Sequence, residues 1–231
     1  MDYLIEGIVQ AFALIFSGDP ETFSAVWATL ASSGLAMIVI LALGLPLGFV
    51  LGHADFPGRG AARTLVDTML SLPTVVVGLL VYALLTRRGP MGDWDLLFSI
   101  PGISMGLTLL GLPIVMALTA TAVEGLDRRL RHTLRTLGAT RGQILATTLW
   151  EARFSLALAA VAAFGRVATE VGIAMMVGGN IKWQTRTITT AIALETNKGQ
   201  FALGMALGVI LLGIALLVNL AVAGLKRLAR E

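Results

Sequence analysis

Arg166 and Glu170 are the only charged residues in the apolar run 154–181. They are four residues apart, a spacing that places both side chains on one face of a helix, where they are able to pair. Ionisable groups in an apolar environment are unfavourable unless they face a partner or a cavity. The pair therefore indicates either a structural clamp or a functional element, such as a gate or a group that shapes the field along an anion path.

Hydroxyl groups in this run and in other apolar stretches would complement such a path. An anion favours hydroxyl donors and unpaired basic groups, whereas a nearby carboxylate would need neutralisation. Mid-helix Ser and Thr hydroxyls also bond often to their own backbone, which leaves a purely structural role open. The candidates for lining a path are Ser71, Thr74, Thr119, Thr121 and Thr169.

The elements that carry these residues must lie in a membrane. Of the 231 residues, 56% are hydrophobic and only 13% are charged, and the mean hydropathy is +0.85, which excludes an ordinary soluble domain. Several apolar runs reach the roughly 20 residues that cross a bilayer core. We predict an all-α integral membrane protein with five transmembrane helices, at about 26–52, 65–85, 100–123, 154–177 and 201–225.

The distribution of Lys and Arg predicts the orientation of these spans. The excess of basic residues places the loop around Leu130 and the C-terminus in the cytoplasm, and the N-terminus outside. Residues 1–18 lack a basic start, so we predict an interfacial or elbow helix on the outer face instead of a signal peptide. Since the basic loops account for the pI of about 9.8, nucleic-acid binding has little support.

Glycine and proline residues mark possible contacts and kinks within the spans. Gly44, Gly48 and Gly52 form a small-residue ladder on one face of the first span, suited to packing within the chain or to a subunit contact. Prolines inside spans remove a backbone donor and can kink the helix. They are Pro46, Pro73 and Pro113.

The polar segment 124–153, between the third and fourth spans, has the pattern of a docking element. Leu126, Leu130, Leu134 and Leu137 recur at helical spacing, which predicts an amphipathic helix that stops at Gly138. The residues that follow it, 140–143, fit a capping box, so a second helix should begin at residue 141. Such a segment suits a groove on a partner protein or the surface of anionic lipid.

Two parts of the chain resemble a known family. The triplet Leu137, Gly138 and Ala139 resembles the conserved loop of ATP-binding-cassette (ABC) import permeases, in which this helix docks on the ATPase. The region 164–208, which includes Arg166 and Glu170, resembles the permease subunit of tungstate importers and of the related molybdate and sulfate group. The resemblance implies a type I ABC importer permease fold and a single transmembrane permease domain, 1–231, in the cytoplasmic membrane of a bacterium or archaeon.

The resemblance also implies partners and contact residues. The segment 124–153 would be the coupling loop, with ATPase contacts from Leu134, Leu137, Gly138, Ala139, Thr140 and Arg141. An external binding protein would deliver the oxyanion to the outer loops. Among the oxyanions of these relatives, the resemblance favours tungstate. The candidates for that contact are Arg87, Arg88, Trp183, Arg186 and Lys198.

A transport subunit, and not an enzyme, is the function that these features predict. The sequence has no phosphate-binding loop of the form Gly-x-x-x-x-Gly-Lys-Ser/Thr, so a separate ABC ATPase would hydrolyse ATP. Importers of the resembled family use two ATPase subunits, so a single coupling loop per chain implies a homodimer of this chain with two ATPase copies. No cofactor or metal is expected. The alternatives are a molybdate or sulfate permease, a self-sufficient anion channel or ion-coupled carrier, and a non-transporting scaffold.

Overall fold

The computed structural model describes residues 2–126, 133, 134 and 136–228. These residues form helices, turns and irregular loops, with no strand among them. A short 3₁₀ turn, Gly92–Trp94, lies in the loop before α5. The helices are α1 (Asp2–Ser17), α2 (Pro20–His53), α3 (Arg59–Met69), α4 (Thr74–Leu85), α5 (Ile100–Glu124), α6 (Arg141–Ala168), α7 (Gly172–Gly178), α8 (Ile188–Asn197) and α9 (Phe201–Leu228).

The prediction of an all-α protein with five apolar spans is confirmed, with one span strongly bent. Within the described residues, α2, α5, α6 and α9 are each long and apolar enough to cross a membrane. The second predicted span, 65–85, is not one continuous helix. It is formed by α3 and α4, whose axes differ by 98° across a break of four residues.

Proline explains where the second span breaks, while two other prolines do not interrupt their helices. Pro73 has an extended backbone and stands immediately before α4, where its missing N–H removes no helical bond. Pro46 and Pro113 lie inside α2 and α5, which continue past them. The expectation of a proline break therefore holds at residue 73.

The fourth span differs from its predicted bounds, 154–177. The helix that starts after the capping box runs without interruption from Arg141 into the membrane-spanning part and ends at Ala168. After a break at 169–171, the short helix α7 begins. The second half of the segment 124–153 and the fourth span are thus one helix, because no Pro lies within 141–168 and no Gly lies between Gly142 and Gly165.

Close packing between α2 and α5 organises the centre of the fold. A methyl group added at Gly48 or Gly52 would lie 2.6 Å from the carbonyl oxygen of Met116 or Ala120, respectively. The glycine ladder on the first span therefore serves packing within the chain. The main core is shared by α2, α4, α5, α6 and α7, and its fully buried members include Ile40, Val81, Ile103, Val115 and Ile173.

A second apolar cluster joins both ends of the chain. Ala11 of α1, Ala25 of α2, Ile188 and Ala191 of α8, and Ala206 of α9 are buried together. The backbone of α1 approaches α9 closely, because a methyl group at Gly7 would lie 2.5 Å from the Cβ atom of Met205. The first turn of α8 therefore belongs to this second cluster.

Candidate translocation site and docking surfaces

The two interrupted helices of the bundle meet at one place. At about 1.5 Å per residue, neither α4, with 12 residues, nor α7, with 7, would cross a core of about 30 Å alone. The Cβ position of Gly78 on α4 lies 3.1 Å from the Sδ atom of Met176 on α7. Their first residues are also neighbours, since Thr74 Oγ1 lies 3.6 Å from the Cβ position of Gly172. The breaks before α4 and α7 are therefore adjacent.

Glu170 occupies the break between α6 and α7, and its carboxylate is fully engaged within the chain. Its Oε2 atom accepts a hydrogen bond from Arg166 across 2.7 Å. Its Oε1 atom accepts from the backbone N–H groups of Gly172 at 3.0 Å and Ile173 at 3.4 Å. The carboxylate thus caps α7, whose N-cap residue, Val171, makes no side-chain capping bond. The Glu170 side chain is only 4% exposed. Its buried negative charge is therefore balanced by the Arg166 guanidinium and the two N–H groups.

Arg166 and Thr169, unlike the buried Glu170, are exposed on the surface of the chain. The Arg166 side chain is 42% exposed although it pairs with the buried carboxylate. The Thr169 side chain is exposed as well, and its hydroxyl donates to the carbonyl of Gly165 at 2.7 Å. The surface beside the break therefore carries a basic group and a hydroxyl, while the acidic group lies behind them. Of the two charged groups at this break, the basic one is therefore the more exposed.

A small cavity behind Glu170 is lined by hydroxyl groups that the sequence analysis missed. Its polar residues are Thr29, Ser32, Ser33, Thr187 and Thr189, together with Glu170. Three of them lie at positions i, i+3 and i+4 of α2, a spacing that predicts one helix face. This spacing of hydroxyl residues is the sequence signal from which the α2 side of the cavity could have been predicted. The remaining members come from the far end of the chain, and only the folded structure brings them here.

The predicted path residues separate into two groups. Ser71 lies exposed in the break before α4, Thr74 is half-buried at the start of that helix, and Arg166, Thr169 and Glu170 surround the second break. The two threonines of α5 lie elsewhere. Thr119 is fully buried, packed against Gly48, and its hydroxyl has no partner in the described part of the chain. The Thr121 hydroxyl accepts from Arg63 at 2.8 Å and donates to the Ala117 carbonyl at 2.9 Å.

Two arginines of α3 fasten it to the ends of α2 and α5. Arg59 donates to the carbonyl of Leu51 at 2.7 Å and that of Gly52 at 3.2 Å, and it pairs with Glu124 at 2.8 Å. Arg63 donates to the Ala117 carbonyl at 3.3 Å. Cationic donors at the C-terminal carbonyls of a helix complement its dipole. The position of α3 is therefore fixed relative to the helix that leads into the coupling segment.

The described residues of the polar segment 124–153 contain the predicted break. Gly138 has a φ of 75°, in the left-handed region that favours glycine. The N–H of Ala139 donates to the carbonyl of Leu134 at 3.0 Å, which closes the helical turn before it. The capping box is present, because Gln143 Oε1 accepts from the Thr140 N–H at 2.8 Å and the Gln143 N–H donates to Thr140 Oγ1 at 3.4 Å.

The first part of this segment is only partly described. Residues 127–132 and 135, which include Leu130, lie outside the described residues, as does the side chain of Arg141. Leu137 is 77% exposed, Thr140 is exposed, and Leu134 and Ala139 are half-buried. The glycine turn thus presents an apolar side chain on the surface of the chain.

The five residues predicted to contact the binding protein differ in their exposure and in their ion pairs. Arg87 and Arg88 are exposed and have no ion pair among the described residues, and Trp183 is 56% exposed. Arg186, in contrast, pairs with Glu21 at 2.6 Å, and its side chain is only 15% exposed. Lys198 pairs with Glu195 at 2.9 Å. The Arg87 loop lies near α7, because the Phe98 N–H in that loop donates to the Val177 carbonyl at 2.8 Å.

A bundle of apolar helices with interrupted spans and a glycine-broken polar segment defines the membrane-embedded component of a transport system. The chain belongs to the family described as the binding-protein-dependent transport system inner membrane component, whose family model matches residues 44–231. Members of this family are transport components, and ATP hydrolysis belongs to a separate subunit.

The chain is similar to several curated permeases over most of its length. It is 44% identical to the tungstate uptake system permease protein TupB of Campylobacter jejuni, over 98% of this chain and 95% of that protein. It is 38% identical to a probable anion ABC transporter permease protein of Haloferax volcanii, over 81% and 83% of the two chains. It is 31% identical to the molybdenum transport system permease protein ModB of Escherichia coli, over 92% and 96%.

A solved structure confirms the predicted fold. The chain aligns with a bacterial ABC transporter involved in the import of the acidic polysaccharide alginate, with a TM-score of 0.76 and 21% sequence identity. The alignment covers 96% of this chain and 84% of that chain. The fold is that of a type I ABC importer permease, and its structural neighbours are transmembrane components that work with ATPase and binding-protein partners.

Proposed function

We propose that this chain is the permease of an ATP-driven importer for a tetrahedral oxyanion, with tungstate as its substrate. The similarity to a tungstate permease over nearly the whole chain carries the proposal. The break between α6 and α7 supports it, because Glu170 is neutralised within the chain while Arg166 and Thr169 are presented at the surface. A dianion passing along this surface would meet the Arg166 guanidinium, and the buried, paired carboxylate would repel it less.

Two copies of this chain would pair around the path, each with one ATPase subunit on its coupling segment. The exposed Leu137 next to the left-handed Gly138 supports a helix-in-groove contact with the ATPase. Each chain carries one such segment, so two chains are needed for two ATPases. The loop around Leu130 and the C-terminus would face the cytoplasm, and the N-terminus would lie outside.

The external binding protein would contact the loop that carries Arg87 and Arg88, together with Trp183. These side chains are exposed, and the two arginines are free of ion pairs in the described residues. Arg186 and Lys198 play a different part in this proposal, since each is held by an acidic residue of its own chain. Arg186, whose side chain is 15% exposed, would support the receiving surface from beneath it, while the 49% exposed Lys198 would lie at that surface.

Reconstitution in lipid vesicles tests the proposal directly. The chain is combined with its cognate ATPase and binding protein, and ATP hydrolysis and uptake are measured with tungstate, molybdate and sulfate. We expect tungstate to stimulate both activities at the lowest concentration. Stimulation by molybdate or sulfate at lower concentration would change the substrate assignment. Oxyanion flux through vesicles that contain this chain alone would instead identify a channel or ion-coupled carrier.

A further inference from the structure

The first turn of α8 is buried and bonded to two distant parts of the chain. Thr187, Ile188, Thr189 and Thr190 are each at most 5% exposed. The N–H of Ile188 donates to Thr29 Oγ1 of α2 at 2.9 Å. The hydroxyl of Thr189 donates to the backbone carbonyl of Glu170 at 3.0 Å. This turn therefore contacts the residue that forms the break between α6 and α7.

Glu170 is thus held from two sides. Its side chain binds the first N–H groups of α7, and its carbonyl accepts the bond from α8. In turn, α7 packs against α4, the helix that follows the 98° bend. A movement of α8 would accordingly reach both interrupted helices through a single residue. Packed elements of this kind transmit displacement because they are closely fitted.

The loop before α8 links the same turn to the outer surface of the fold. Lys182 and Arg186 both pair with Glu21, in the first turn of α2, at 2.7 and 2.6 Å. Trp183, between them, is exposed and has a φ of 69°, an unfavourable backbone conformation for a bulky residue. The exposed loop and the buried turn are separated by only a few residues, so a protein that presses on the loop would act on the turn.

We propose that the bond from Thr189 to Glu170 transmits docking of the loaded binding protein to the break between α6 and α7. Thr189 is a positioning residue in this role, because it would act through the Glu170 carbonyl to which it donates. The proposal rests on the proposed function, in which the loop around Trp183 receives the binding protein. It adds the route by which that event would reach the path beside Arg166.

Three substitutions in the reconstituted importer test the route. Thr189→Val removes the hydroxyl and keeps the branched shape, whereas Thr189→Ser keeps the hydroxyl. Thr190→Val is the matched control, since Thr190 lies in the same buried turn and, among the described residues, its hydroxyl bonds only to Thr187 of that turn. The measurements are the affinity for tungstate-loaded binding protein and the ratio of stimulated to unstimulated ATP hydrolysis.

We expect Thr189→Val to lower the stimulation ratio about three- to tenfold while the binding-protein affinity stays within about twofold of the original. Thr189→Ser and Thr190→Val should keep most of the stimulation. An unchanged ratio in Thr189→Val would overturn the proposal. So would failure of this variant alone to assemble with the ATPase, since the bond would then be merely structural. If the unmodified importer responds to no oxyanion, the proposed function fails instead.

Discussion

The Nη2 atom of Arg59 lies 2.8 Å from the Oε1 atom of Glu124 and joins the start of α3 to the last residue of α5. The same guanidinium also caps two carbonyls at the end of α2. Three helices therefore meet at one arginine, next to the polar segment 124–153. Since the Arg59 and Glu124 side chains are 30% and 40% exposed, the ion pair itself contributes less than the bonds to the helix end.

Removing the two partners should accordingly have unequal effects. Arg59→Ala should lower the free energy of unfolding by about 1 to 2 kcal/mol, because it leaves the end of α2 without its cationic cap. Glu124→Gln should lower it by at most about 0.5 kcal/mol. Thermal unfolding of the purified permease in detergent measures both. Equal destabilisation by the two variants would show that the ion pair dominates.

The left-handed turn at Gly138 should control docking of the ATPase. Gly138→Ala should cost about 1 to 2 kcal/mol locally, since its φ of 75° is unfavourable for an L-residue, although among the described residues no atom beyond its chain neighbours lies within 4 Å of the added methyl group. We expect weaker association with the ATPase, measured by co-purification and by ATP hydrolysis in the reconstituted complex.

Gly142→Ala provides a matched control for that turn. Gly142 also has open space around it, but it lies within the first turn of α6 and has no left-handed backbone. The substitution should leave association unchanged or improve it slightly, because alanine favours a helix. If both variants weaken association equally, the conformation of Gly138 is not the cause.

Variants of Arg166 and Glu170 should show whether this ion pair is a structural clamp, part of the path, or both. Arg166→Gln alone should destabilise the chain by about 1 to 3 kcal/mol, because it leaves a buried carboxylate with only two backbone donors. The double variant with Glu170→Gln should recover most of that stability. Oxyanion uptake should nevertheless stay low in the double variant, since the exposed cation is gone.

Uptake that recovers together with stability in the double variant would assign the pair a structural role alone. The two readouts therefore separate the interpretations that the sequence left open. Thermal unfolding reports the clamp, and initial uptake rates in vesicles at limiting oxyanion concentration report the path. Glu170→Gln also tests whether the cap on α7 needs a charge, because the glutamine side chain would retain a carbonyl oxygen that accepts from the Gly172 N–H.

Much of this fold was predictable from local sequence signals, whereas the contacts between distant segments were not. The left-handed turn at Gly138 and the capping box at Thr140 depend on a few neighbouring residues, so the sequence predicted both. The pairing of Arg186 with Glu21 joins residues 165 positions apart, and no periodic pattern indicates it. The bend at Pro73 was expected as a kink, but its angle depends on how α3 is fastened by Arg59 and Arg63.

The glycine ladder of α2 should be intolerant of even one methyl group. Gly48→Ala would place a Cβ atom 2.6 Å from the Met116 carbonyl oxygen and 2.9 Å from the Met116 Cα atom, so α2 and α5 must separate. We expect a loss of about 2 to 3 kcal/mol in thermal unfolding. Gly34→Ala, on the same helix with open space around it, should be neutral. Similar stability of the two variants would contradict the close approach.

The basic residues of the outer loops should differ in what their removal affects. Replacing Arg87 and Arg88 together by Ala should weaken docking of the binding protein and reduce its dependence on salt, because exposed charges steer association. Stability should change little. Arg186→Ala should mainly lower stability, since Glu21 would keep only Lys182 as its partner. Titration of the binding protein onto reconstituted permease at low and high ionic strength, together with thermal unfolding, distinguishes the two. Stronger loss of docking in Arg186→Ala than in the double variant would instead place that side chain in the contact itself.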